Sequence, residues 1–147
     1  MTVIACDGRS MAADTLVTCQ GQLLAKRPKV HRLKDGRIVG ASGPSTCCQK
    51  LVRWLEEGGE QPSLSDDVAA IILNPDGTID WIDCKFELMK GCIVPYALGC
   101  GDDIALGAML AGATPEEAVK ITASRRLDIG DEATVISLPE TAVRAVA

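Results

Sequence analysis

A threonine stands directly behind the first methionine, and the chain runs from it into strand-like sequence, MTVIACDGRSMAADTLVT. Most domains leave their first residues loose, whereas this one places a hydroxyl residue there with no flexible lead-in. Removal of Met1 is usual when a small residue follows. It would leave Thr2 with a free α-amine beside its side-chain hydroxyl. That pair is a nucleophile carrying its own base, since an α-amine with an ordinary pKa of about 7.7–8.0 can accept the hydroxyl proton at neutral pH. No histidine is needed, and His31 is the only histidine on which a Ser-His-Asp triad could be built. A working site would need three further supports. A cation must lower the pKa of amine and hydroxyl. A carboxylate must hold that cation. Backbone N–H groups must face the developing oxyanion. Without them, Thr2 is an ordinary small second residue.

Three stretches bear on those supports: TVIACDGRSMAADTLVT (2–18), KRPKVHRL (26–33) and RIVGASG (37–43). Together they resemble the start of a proteasome β-type subunit. They are most similar to the short bacterial and phage proteasome-like threonine peptidases, which are N-terminal-nucleophile hydrolases. The resemblance implies a role for each matching residue. Thr2 attacks the scissile carbonyl and forms an acyl-enzyme. Lys29, in PKVHRL, lowers the hydroxyl pKa by its charge. Asp14, in AADT, pairs with Lys29. Gly40, in IVGASG, lends its N–H to the oxyanion. Read one at a time, Asp14 could equally cap a turn, Lys29 could be a solvated strand lysine, and Gly40 could permit close sheet packing.

The resemblance is strong over residues 2–43, moderate over 96–138 and poor between 59 and 95. ALGCGDDIA (97–105) is similar to the family's Gly-Ser-Gly before its third helix, with Cys100 in place of the serine. A thiol is the poorer hydrogen-bond donor, and Cys100 could instead be inert packing. RLDIGDEATV (126–135) resembles the family's Arg-Asp-Ser-x-x-Gly region. Asp128 matches the aspartate, and Asp131 falls where a serine is usual. Two aspartates in a solvated turn would read the same way. His31 lies two residues beyond Lys29 and shares its face on a regular strand. It either tunes the local field or is a partly buried histidine with a local partner.

The elements that must position these residues follow from alternation and turn signals. Strands are expected at 2–7, 10–18, 22–25, 29–33 and 37–43, with hairpin signals at Asp7-Gly8 and Asp35-Gly36. A helix is expected over 44–59, bounded by Pro44-Ser45 and Gly58-Gly59. A buried strand follows at 67–74, then strand candidates TIDWID (78–83) and CKFELM (84–89). CIVPYALG (92–99) reads as an edge or irregular strand because of Pro95. Two helices come next, from about 101 to 111 and from Pro115 to about Arg126. The second opens on a Thr114–Glu117 capping box. Strands at 132–138 and TAVRAV (141–146) complete the chain. The expected fold class is α+β, a four-layer αββα sandwich of two antiparallel sheets flanked by helices. It forms a single domain over 1–147.

Composition bounds the partners. The chain has 147 residues, a net charge of -5 and 3% aromatics. No basic run and few stacking side chains argue against nucleic acid. No apolar run reaches the ~20 residues of a membrane span, and the start lacks a signal-peptide pattern. A cytoplasmic protein is expected. The seven cysteines include no C-x-x-C, so reduced, mostly buried thiols are expected rather than a zinc site. The chemistry requires no metal and no organic cofactor.

The resemblance implies a peptide or unfolded-protein substrate and a homo-oligomeric ring. The family usually has two helices after the strand that holds Gly40, but only one fits here. The missing region forms the family's inter-ring and ATPase-docking surfaces, which leaves an ATPase partner open. Two alternatives stand beside the peptidase: a non-catalytic relative kept for assembly, and a hydrolase acting on a small amide.

Overall fold

The computed structural model describes residues 1–140. TAVRAV (141–146), expected as a last strand, lies outside them. The strands are β1 (Val3–Cys6), β2 (Ser10–Asp14), β3 (Leu16–Cys19), β4 (Gln22–Lys26), β5 (Val30–Arg32), β6 (Ile38–Ser42), β7 (Ala69–Leu73), β8 (Ile79–Asp83), β9 (Leu88–Met89), β10 (Tyr96–Gly99) and β11 (Ala133–Ser137). The helices are α1 (Ser45–Glu57), α2 (Asp102–Leu110) and α3 (Pro115–Ala123).

Two antiparallel sheets form the centre. One has the order β10-β1-β2-β11 and the other β5-β6-β7-β8-β9. Side-chain alternation sorts each strand into two faces. Ile4, Cys6, Met11, Ile38, Ile71, Leu73 and Ile79 meet between the sheets. On the outer face of the first sheet, Val3, Ala5 and Ala12 pack under α2 and α3 against Ala105, Met109, Ala118 and Val119. On the outer face of the second, Val39, Ala41, Ala70 and Ile72 pack with Leu51 of α1. The layers are therefore helix, sheet, sheet, helix, as the order of elements predicts. The Thr114–Glu117 capping box opens α3 with Pro115 behind it.

Several expectations are corrected. The stretch 10–18 is two strands, because the chain turns at Thr15 and β3 leaves to pair with β4 in a separate hairpin. CKFELM contributes only Leu88–Met89. Asp83 and Glu87 close a turn instead, with the Phe86 N–H donating to the Asp83 carbonyl at 3.1 Å. The second of the paired helices stops at Ala123 rather than Arg126. Among the cysteines, only Cys6 is fully buried and Cys19 is exposed. The others sit where half-covered small residues suffice. No helix follows α1 before β7, and no described helix is long and apolar enough to cross a membrane.

Gly40 lies where the two sheets are in close contact. It shares the inward face of Ile38, and a Cβ there would stand 2.8 Å from both Ile4 Cγ2 and Met11 Sδ. Those atoms are fully buried and have no room to retreat. Gly40→Ala is expected to destabilise the fold by about 1–3 kcal/mol through overpacking. A lower urea midpoint with an unchanged m-value would show it.

Candidate active site

The site begins with a buried carboxylate. Asp14, at the end of β2, is fully buried. Its Oδ1 accepts the Val3 N–H at 3.1 Å, and its Oδ2 accepts the N–H groups of Leu16 and Gly130, both at 3.3 Å. Lys29 Nζ donates to both oxygens, at 3.0 and 2.9 Å. The same ammonium donates to the Met1 carbonyl oxygen at 2.9 Å. That oxygen belongs to the peptide bond joining Met1 to Thr2. The Lys29 side chain is 11% exposed, so little water screens its charge.

Thr2 itself is nearly buried, at 8% exposure. It precedes β1 and is held from the other side by the Gly99-Cys100-Gly101 turn. The Cys100 N–H donates to the Thr2 carbonyl at 2.8 Å, and the Cys100 thiol lies 3.4 Å from the same oxygen. Gly99 has φ +103°, and a Cβ on it would collide with that carbonyl. Glycine is thus required there both by conformation and by close approach. Cys100 grips the backbone of residue 2.

Gly40 is not part of this constellation. The Ala41 N–H points to β5, where it meets the Lys29 carbonyl at 3.4 Å. The neighbouring Gly40 amide therefore points the other way, into the β6–β7 ladder, where Gly40 sits opposite Ile71. Gly43 has the parity of Ala41 and lies past the end of β6. It lines the same pocket as Thr2 and Lys29. The sequence carried a signal for it, the second glycine of GASG, but not the strand register that separates the two.

That pocket is a cavity of about 230 Å³ between the start of β1, the approach to β5 and the first turn of α1. Thr18, Arg27, His31, Ala41 and Cys48 also line it. His31 is therefore on the pocket wall, and its burial holds its pKa below the ordinary value. Burial pushes the Cys48 thiol up to about 11.

Asp128 lies outside the pocket lining. Arg126 holds it through two bonds, Nε–Oδ1 at 3.1 Å and Nη2–Oδ2 at 3.0 Å. The guanidinium bonds hold its carboxyl below the usual range, and the amino terminus contributes a smaller pull in the same direction. Asp128 thus sits near the start of the chain. Asp131 is exposed, and its field is felt at Lys26, which pairs with Glu132 at 2.7 Å.

By sequence, the chain matches no family model and no curated protein. By structure, it is similar to BPH of Thiobacillus denitrificans in complex with epoxomicin. The TM-score is 0.69 and the identity 22%, over 95% of this chain and 100% of that one. A second BPH structure from Thiobacillus denitrificans gives 0.66 and 23% over the same shares. Eukaryotic HslV from Trypanosoma brucei gives 0.65 and 17%, over 92% of this chain and 98% of that one. The chain has the fold of these proteins. That fold is the αββα sandwich described above.

Two outcomes follow from the packing. Asp14→Ala leaves the Lys29 ammonium in a nearly dry place without its counter-charge. A loss of about 3–5 kcal/mol is expected in chemical denaturation. The thiols should also differ in reactivity, because the thiolate is the reacting form. Hydrogen bonds from Ser65 lower the Cys47 pKa. Burial raises that of Cys6 to about 12. Iodoacetamide near neutral pH should modify Cys47 well before Cys48 or Cys6, as peptide mapping would read.

Proposed function

We propose that this chain is a threonine peptidase that uses Thr2 as its nucleophile once Met1 is removed. The observation that carries the reading is the position of Lys29 Nζ. It bridges the Asp14 carboxylate and the carbonyl of the Met1–Thr2 peptide bond. Loss of Met1 removes that carbonyl and turns the Thr2 nitrogen into a free amine beside the ammonium.

The reaction then runs with its atoms balanced. Thr2 Oγ adds to the substrate carbonyl while its proton passes to the Thr2 amine. Gly43, which lines the pocket, is the glycine proposed to offer its amide to the oxyanion, the role that the sequence assigned to Gly40. The tetrahedral species collapses, the C–N bond breaks, and the departing amine takes the proton. An ester on Thr2 remains. Water adds to that ester as its proton passes to the Thr2 amine; the ester C–O bond then breaks, Oγ takes that proton back, and the acid leaves. Lys29 stabilises negative charge growing on Oγ, and its field disfavours a second ammonium on Thr2. Asp14 keeps Lys29 in place. Cys100 positions the Thr2 backbone, and Arg126–Asp128 borders the amino terminus.

The likeness to BPH bound to epoxomicin supports this reading. Exposed Leu23 and Leu24 on the β3–β4 hairpin support self-association, in keeping with a homo-oligomeric ring.

Intact mass should show a chain lighter by one methionine. Epoxomicin, as an epoxyketone, should add to Thr2 without loss of atoms, so the shift equals its full mass. Thr2→Ala should abolish adduct and peptide cleavage, while Thr2→Ser keeps both. Lys29→Ala should lower turnover by about 100- to 1,000-fold. Processed protein that neither cleaves peptides nor takes the adduct would end the proposal. The pH profile offers a separate check. The base must be a neutral amine, so kcat/KM should rise with pH. The midpoint should lie below the ordinary α-amine value of about 7.7–8.0, because Lys29 opposes protonation. A rate that fell from pH 6 to 8 would contradict an amine base.

A further inference from the structure

We propose that the pocket beside Thr2 receives an acidic side chain, carried by the residue whose carbonyl Thr2 attacks. This names the substrate class of the peptidase reading and rests on it.

The argument is one of uncompensated charge. The chain as a whole is acidic, with 20 Asp and Glu against 15 Lys and Arg. Yet among the described residues no carboxylate lines this pocket, whereas Arg27, Lys29 and His31 all do. Asp14, behind Lys29, cancels the Lys29 charge. The charge of Arg27 is not cancelled. Its Nη1 donates to the Lys26 carbonyl at 2.9 Å, and among the described residues it forms no ion pair. A guanidinium has five N–H donors in a fixed fork, so most remain for a ligand. That fork suits a carboxylate held through two parallel bonds.

Leu16, Val17, Pro28 and Pro44 supply apolar wall, and the polar groups among the rest add no negative charge. Cys48 keeps its proton and adds no negative charge. His31 offers a ring N–H, a donor to an incoming carboxylate. Ala41 is small and leaves depth beneath the rim. A lysine or arginine side chain in the same place would meet Arg27 with no counter-charge, and such like-charge contacts disfavour binding.

The test uses processed protein and four peptides that differ only in the residue before the scissile bond: Glu, Leu, Tyr or Lys. Glu should give the highest kcat/KM and Lys the lowest. Arg27→Ala should lower the Glu-to-Leu ratio about five-fold, the upper range for an exposed charge pair. Added salt should shrink that ratio as well. Arg27→Glu should make Lys overtake Glu. Leu or Tyr ahead of Glu in the unaltered protein would overturn the inference, as would an unchanged order in Arg27→Glu. Labelling of Thr2 by excess epoxomicin is run in parallel on every variant. Labelled protein without a preference for Glu removes this inference alone. Absence of label on a processed chain removes the peptidase reading with it.

Discussion

The ion pair between Lys29 and Asp14 is the constraint on which the rest depends. An ammonium and a carboxylate shielded from water are costly unless every lone pair and proton finds a partner. Here the partners come from distant parts of the chain. Val3 opens β1, Leu16 follows the β2–β3 corner, and Gly130 belongs to the loop before β11. All three donate backbone N–H groups to one carboxylate. Four segments are thereby tied to a single point, and residue 2 is tied beside them. A chain start that would ordinarily be loose becomes a nearly buried group of defined position.

In the proposed hydrolytic site, the same pair separates the two jobs of a cation. Asp14 balances the charge of Lys29 without shielding its outer face, which still reaches the carbonyl before Thr2. Seen from farther away, the pair is neutral. A charged side chain entering the pocket therefore responds chiefly to Arg27. In the proposed peptidase, chemistry and selectivity fall to different cations a few residues apart in sequence.

The outer layer over the second sheet is thin, yet the sheet stays covered. Only α1 lies there, because residues 58–68 contain no helix. Trp54 of α1 meets Phe86 edge-on, with ring centroids 4.7 Å apart at 64°. Leu64 and Cys84 pack against the same cluster. Two of the chain's few aromatic side chains thus cover apolar area that a second helix would otherwise bury. The site does not depend on that stretch, because its wall comes from α1 and the end of β6.

Much of the fold was legible from local pattern. Alternation and turn signals marked β1, β6, β8 and β11, a short unbroken apolar run marked β7, and the capping box marked the start of α3. Thr2, Asp14 and Lys29 were legible as residue types in a recognisable order. The split at Thr15 was not, because it depends on Asp14 turning inward to collect N–H groups from other segments. The strand assignment at CKFELM failed because Phe86 enters a tight turn with positive φ.

What the sequence by itself determined is the set of groups available: a hydroxyl next to a potential amine, one cation, one acid and glycines near at hand. What only the tertiary structure decided is which of them meet. Gly40 and Gly43 look alike in the string, but β6 is paired on both sides, so Gly40 lies inside the ladder while Gly43 lies past its end. One glycine is consumed by the ladder and by contact between the sheets, and the other faces the pocket. That division follows from strand pairing across dozens of residues, which no local pattern encodes.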